Sequence, residues 1–399
     1  MPFLPLDGVR VVDLTTSIAG PLCAEILAAL GADVVKVERP DTGDDARSWG
    51  PPFWGGESTM FLSVNAGKRS LAVSLSDPRG CEVVLRLADR ADVFLQSLRP
   101  KLAERLGLGP QLRERNPSLV YCSIGAYGHT GPLAEEPGYD ALMQAAGGLI
   151  SMTGEPGTGG ARVGSSLIDL GTGVWSALGI VAALLRRQST GTGAVVETSL
   201  YETALSWIGY HLAGYLADGT VPRPQGTAFP MVAPYQVFPT LDGELMVAAG
   251  NDRLFAALCD VLGEPDLFAD PRFRTNPDRV RNRDTLVTLV SERLRERDSE
   301  DWLERLKAAG IPAAPVADVA EVAAAEQTEA LGMLQPLAHA DVPDLRLAAL
   351  PLSFDSDRVR HRLPPPAIGE HTEAILLEAG YTNAEIATLA EDGVIRRYS

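Results

Sequence analysis

Short runs of β-branched residues alternate with helix-length segments from Val9 to Ile124, and this alternation most constrains the fold. Val9–Leu14 reads as a strand, Pro21–Leu30 as a helix with proline near its start and Gly31 after its end, and Asp33–Glu38 as a second strand. Further strands are expected at Ser70–Leu75, Ala91–Leu95 and Ser118–Ile124, with helical stretches at Arg79–Ala88 and Pro110–Arg115. Strands joined through helices pair in parallel, because each crossover returns the chain to the edge it left. Helices at Tyr139–Gly148 and Leu170–Arg187, a strand at Ala194–Ser199 and a helix from Tyr201 to Leu216 extend the series. The fold class is α/β, with a large domain on a mainly parallel sheet.

A Gly- and Pro-rich stretch at Asp218–Pro234 breaks the pattern and reads as a linker, 218–234, after a first segment 1–217. A smaller α+β domain is expected over 235–329. It opens with a hairpin at Tyr235–Ala248, turning at Leu241-Asp242-Gly243. Helices follow at Asp252–Leu262, Arg281–Arg297 and Ser299–Ala309, the last capped by Ser299 with Trp302 and Leu303 inward. In the segment 330–399, strands at Met333–Leu337 and Leu345–Leu352 lead to two helices, one near Glu370 and one at a Thr382 cap.

The chain has 399 residues and a net charge of −17, which argues against nucleic acid or a membrane surface as a partner of the whole protein. The N-terminus, Met1 to Gly8, has no basic region followed by an apolar stretch, so no signal peptide is expected. No run, Val174–Leu185 included, approaches the roughly 18 apolar residues of a membrane span without charge or turn residues. Cys23, Cys81, Cys122 and Cys259 form no CxxC pair and the histidines no ligand spacing, so no metal site is expected. The cytoplasm is the expected location.

A strand, loop and helix at the N-terminus invite a dinucleotide reading, but the turn Thr15-Thr16-Ser17-Ile18-Ala19-Gly20-Pro21 holds one glycine where G-x-G-x-x-G is needed. What remains is a set of cations near strand ends: Arg39 after the second strand, Lys68 and Arg69 before the third, and Arg99, Lys101 and Arg105 after the fourth. Ligands of open α/β sheets gather outside the carboxyl ends of the strands, where such cations suit a ligand with several phosphates, such as coenzyme A. Each cation taken alone is also an ordinary solvated charge.

Asp169 stands in Ser165-Ser166-Leu167-Ile168-Asp169-Leu170-Gly171-Thr172-Gly173, directly before the uncharged stretch Val174–Leu185. Arg186 and Arg187 close that stretch, where cations suit the helix dipole. A helix apolar all round is a buried one, so the carboxylate at its start is expected in the interior. Two readings stand. Asp169 is an N-cap, or the free N–H groups of the first turn keep it ionised as a nucleophile.

These residues also carry a resemblance. Pro5 to Leu14, Ala19-Gly20-Pro21, Leu30 to Pro40, Asn65 to Ser70, Ala145 to Gly148, Asp169 to Gly173 and Gly369-Glu370-His371-Thr372 resemble, in order and spacing, the class III (formyl-CoA transferase-like) coenzyme A transferases. The resemblance implies a Rossmann-like large domain built from both chain ends, 330–399 returning to it, with the small domain inserted and two chains threaded into an interlocked homodimer. It implies that Asp169 is the catalytic nucleophile. CoA-contact positions would fall on Ile18, Ala19, Arg39, Val73 to Ser76, Ser97, Leu98, Arg99, Arg105, Pro137, Gly138 and Tyr139, the arginines meeting phosphates. Acyl-CoA would be a substrate, with no tightly bound cofactor. Some relatives have lysine where this chain has Pro137 and glutamine where it has Ile18. A glycine run that shields the site in some has no equivalent between Gly226 and Gln236.

The implied reaction moves CoA from an acyl-CoA to a carboxylic acid through aspartyl anhydrides and an aspartyl-CoA thioester. Backbone N–H groups at Gly171 and Gly173 would stabilise the oxyanions, and Phe229, Met231 and Tyr235 would line the acyl pocket. Two alternatives remain. A 2-methylacyl-CoA racemase needs a base on each face of the α-carbon, and this chain has Tyr139 where such relatives have histidine, with His129 ten residues away. A non-catalytic acyl-CoA-binding protein would use Asp169 merely as a cap.

Overall fold

In the computed structural model, residues 4–398 are described. Met1–Phe3, the start of the stretch read for a signal, and Ser399 lie outside them. The chain divides into two compact units, one of residues 1–148, 163–212 and 326–399, the other of residues 149–162 and 213–325.

The first unit is built on six parallel strands: β1 (Arg10–Leu14), β2 (Asp33–Glu38), β3 (Lys68–Ala72), β4 (Val93–Gln96), β5 (Val120–Gly125) and β6 (Val195–Ser199). Their order is β3-β2-β1-β4-β5-β6. The direction of succession reverses between β1 and β4, which opens a crevice at the carboxyl ends of those two strands. All six had been read from the sequence, each to within two or three residues.

Alternate side chains of the strands face opposite layers. Val12, Leu14, Val35, Val37, Leu71, Phe94 and Tyr121 face one way, into a core closed by Val83 and Val84 of a helix at Pro78–Ala88 and by Ile375, Leu376, Ile386 and Leu389 near the C-terminus. The other face is not apolar throughout. It carries Asp13, Lys36 and Lys68, each fully buried, beneath the helix α1 (Ala19–Ala29).

Three further helices complete the region of interest: α2 (Asp140–Ala146), α3 (Leu167–Thr190) and α4 (Leu200–Trp207). The helix expected over Tyr201–Leu216 is interrupted at Ile208, with a second helix at Gly209–Asp218, because glycine is a poor helix former. α3 has 24 residues, packs along α1, and by length and apolarity alone would span a membrane. It is buried on one side only. Val174, Trp175, Leu178 and Leu185 are 46–67% exposed, which corrects the expectation of an all-round buried helix. Its buried side is lined by Ile168, Gly171, Thr172, Ser176, Ala177 and Ile180.

In the second unit the strands Tyr235–Pro239, Glu244–Ala248 and Ala313–Pro315 form an antiparallel sheet. Phe238, Leu245, Val247, Phe255, Leu286 and Trp302 fill its core. The helix Ser299–Ala308 is capped by Asp298 rather than the expected Ser299. The Ser299 hydroxyl is taken by Thr240 and Asp242 of the hairpin.

Candidate active site

Asp169 is the third residue of α3, not its N-cap, and is 8% exposed. Ser166 occupies the cap position without a side-chain hydrogen bond. The capping is done from a distance. The Asp140 carboxylate, at the start of α2, accepts from the Ile168 N–H at 2.8 Å and the Asp169 N–H at 3.3 Å. Gln144, one turn on in α2, donates to the other Asp140 oxygen at 2.6 Å and accepts from the Val163 N–H at 2.9 Å. Asp140 and Gln144 are both buried.

This geometry replaces the expectation that first-turn N–H groups keep Asp169 ionised. Two of those groups serve Asp140 instead. Burial, and then the neighbouring Asp140 charge, push the Asp169 carboxyl up to about 7. Its acid and carboxylate forms thus lie close in free energy near neutral pH.

Gly171 and Gly173 have a different role from the one expected. Lying past the first turn, their N–H groups are used by the helix itself. Their missing side chains matter instead. A methyl at Gly171 would come 2.7 Å from Nε1 of Trp207, and one at Gly173 would come 2.6 Å from the Ala19 carbonyl oxygen. Gly173 is four residues beyond Asp169 and shares its face of α3. The carboxylate therefore lies on the side of α3 that meets the start of α1.

Ile18 and Ala19, both buried, begin α1 there. Beside them, Thr16 donates its N–H to the Ser97 hydroxyl at 3.3 Å, which ties the loop after β1 to the loop after β4 across the crevice. Leu98 packs on the core and Arg99 is exposed. Arg39 follows β2, exposed and ion-paired with Asp45, and exposed Ser76 follows β3. Val73 is a core residue whose N–H goes to the Glu38 carbonyl. Arg105 is exposed on a short helix after β4. Pro137 and Tyr139 are exposed, and Gly138 admits Met143 and Ala126, which would meet a methyl there at under 3 Å. Ile18, Ala19, Arg39, Val73, Ser76 and Ser97 to Arg99 thus all follow carboxyl ends of strands of one sheet.

Lys68 and Arg69 do not. They lie at the opposite end of β3, where Lys68 is wholly buried and Arg69 pairs with Asp33 and Glu378. They are removed from the set of phosphate ligands. His129 rests near Thr198 and Glu197 of β6. In the second unit, Phe229 lies tilted against Tyr235 with ring centres 5.5 Å apart, Met231 is half-exposed, and Asn276 and Arg283 hold the backbone of this loop.

Asp140 is the residue that sequence reasoning passed over. No local signal marked it: Ser166 reads in the sequence as an ordinary N-cap, and only the fold shows that its hydroxyl does not cap α3.

The family model for CoA-transferase family III matches residues 6–372. The human succinyl-CoA:glutarate CoA-transferase is 37% identical over 396 residues, 99% of this chain and 90% of that protein. The acetyl-CoA:oxalate CoA-transferase of Acetobacter aceti is 40% identical over 332 residues, 83% of this chain and 85% of that protein. A crystal structure of a CaiB/BaiF family protein from Brucella suis, 37% identical, superposes with a TM-score of 0.83 over 95% of this chain and 100% of its own. With these matches along nearly its whole length, the chain belongs to the family III CoA-transferases.

Proposed function

We propose that this enzyme transfers CoA from an acyl-CoA donor to a small dicarboxylic acid through covalent intermediates on Asp169. The observation that carries the reading is the placement of Asp169: buried, raised toward neutrality, and on the face of α3 that meets Ala19. The ionised carboxylate attacks the donor thioester carbonyl, expelling CoA thiolate and forming a mixed anhydride. The thiolate attacks the aspartyl carbonyl, which releases the donor acid and leaves aspartyl-CoA thioester. The acceptor carboxylate then attacks that thioester, and the freed thiolate attacks the acceptor carbonyl of the second anhydride. Asp169 is regenerated as a carboxylate. Each step exchanges one activated acyl group for another, so no external energy source is needed.

Arg39, Arg99 and Arg105 would meet the phosphates, while Ile18, Ala19 and Leu98 would flank the apolar parts of the ligand. A dicarboxylate acceptor is supported by the two relatives, whose names specify glutarate and oxalate. The exposed Val174, Trp175, Leu178 and Leu185 stripe supports a homodimer in which a second chain covers α3. Four unpaired cysteines fit a cytoplasmic setting.

The test is to incubate the enzyme with succinyl-CoA, reduce with borohydride, and map the modified peptide by mass spectrometry. Reduction at Asp169, with CoA passed to glutarate or oxalate, is the expected result. Transfer without any adduct at Asp169 would overturn the reading. Deuterium entering a 2-methylacyl-CoA from heavy water would favour the racemase alternative instead.

A further inference from the structure

The turn that leads into α1 is held by buried charges that the transfer chemistry does not use. Ser17, between β1 and α1, has φ of +73°, a left-handed conformation that disfavours residues with a side chain. Its N–H donates to Asp44 Oδ1 at 3.0 Å. The other oxygen of Asp44 pairs with Lys36 Nζ at 2.8 Å. Lys36 Nζ also donates to the Thr15 carbonyl at 3.0 Å, two residues before Ser17. Asp13, beside Lys36 in the sheet register, accepts from both the N–H and the hydroxyl of Thr15. Lys36 and the Asp44 side chain are fully excluded from solvent.

Lysine in the middle of a central parallel strand is costly to bury, and only full pairing makes it tolerable. Here its two hydrogen bonds, to Asp44 and to the Thr15 carbonyl, both bear on the turn from Thr15 to Ile18. That turn fixes where Ile18 and Ala19 lie, and the Ala19 carbonyl packs directly on Gly173, one helical turn from Asp169.

We propose that Lys36 and Asp44 are positioning residues for acyl transfer, holding Ser17 in its left-handed turn so that the start of α1 is set against the helix bearing Asp169. The proposal rests on the reading of Asp169 as nucleophile. Neither side chain touches substrate; both act through the backbone of the turn. Displacing that backbone by an ångström misaligns the thiol end of the donor with the carboxylate, an error of about 100-fold in rate.

The experiment compares Asp44→Asn, Asp44→Asn with Ser17→Gly, and Ser17→Val, each assayed as folded protein with succinyl-CoA. Asp44→Asn should lower kcat about 100-fold with the KM for donor changed less. Glycine at position 17 adopts the left-handed turn without the anchor, so the double variant should recover about ten-fold of that loss. Ser17→Val disturbs the turn alone, and should lower kcat while the melting temperature stays within a few degrees. Wild-type kcat in Ser17→Val, or a double variant no faster than Asp44→Asn, would overturn the proposal. If Asp44→Asn does not fold, Ser17→Val decides. Borohydride labelling of wild-type Asp169 is run alongside, so that absence of the nucleophile is told apart from absence of the positioning effect.

Discussion

Two groups of buried carboxylates in the first unit are treated in opposite ways. Beneath α1, Asp13 pairs with Lys68 at 3.2 Å and Asp44 with Lys36 at 2.8 Å. Although burial works against it, Lys36 and two backbone N–H groups hold the Asp44 carboxyl below its ordinary value. At the start of α3, Asp169 faces another carboxylate, and among the described residues its own oxygens accept no hydrogen bond. The first arrangement fixes charge for the sake of shape. The second keeps a carboxylate in a state that is costly to ionise, which is how a protein stores reactivity in one side chain.

The most severe way to break this contrast is to remove Asp169, the proposed nucleophile. Asp169→Ala should lower CoA transfer by on the order of 10⁴-fold or more while leaving acyl-CoA binding measurable, as expected when a covalent nucleophile is lost. Turnover assays with paired calorimetric titration of acyl-CoA check both halves. Retention of wild-type turnover would return Asp169 to a structural role.

Next in size is a stability effect of the opposite sign. Asp169 ionises near 4 in the unfolded chain and at about 7 in the folded one. The folded state holds the proton more tightly, so this group's contribution is fully present below pH 4 and is lost as pH rises to 7. Asp169→Asn never ionises. The variant should match wild type in stability near pH 4 and exceed it at pH 8 by on the order of 4 kcal/mol, read as a higher melting temperature. Equal melting temperatures at pH 8 would show that Asp169 is not held uncompensated.

A milder change separates charge from capping. Asp140→Asn removes the like charge but keeps an oxygen able to accept from Ile168. The Asp169 carboxyl should fall below 7, though burial, the larger cause, keeps it above the ordinary range. The acid limb of the pH–rate profile should move to lower pH, with kcat at pH 8 reduced about ten-fold through a looser helix start. An unmoved limb would mean that Asp140 acts through hydrogen bonds alone.

How much of this was legible in the sequence follows from range. The strands β1 to β6 rest on patterns confined to about ten neighbouring residues, whereas the neighbours of Asp169 left it between a cap and a nucleophile and only the resemblance along the whole chain chose between them. The Asp140 cap could not be read that way, since 28 residues separate it from the N–H it accepts. Lys36 was in plain view inside Val34-Val35-Lys36-Val37, yet only the folded register shows Asp13 beside it and Asp44 above it. Lys68 was grouped with the cations of the carboxyl ends although its place before the third strand already put it at the amino end. The exposed face of α3 was missed for another reason: composition alone does not say how many sides of an apolar helix one chain can cover.

The two glycines after Asp169 sharpen the contrast on the smallest scale, because they face different partners. At Gly171 an added methyl meets the indole of Trp207, a side chain 45% exposed and free to yield. At Gly173 it meets the Ala19 carbonyl, which is backbone and is fixed by the turn before it. Alanine gains about 1 kcal/mol over glycine within a helix, while overpacking costs about 1–3 kcal/mol. Gly171→Ala should therefore be nearly neutral in stability, with a change in Trp207 fluorescence. Gly173→Ala should lose about 2 kcal/mol and most of its kcat, because the strain falls on the interface that aligns donor and nucleophile. Equal effects at the two positions would mean that the α1 side of α3 is no more rigid than the Trp207 side.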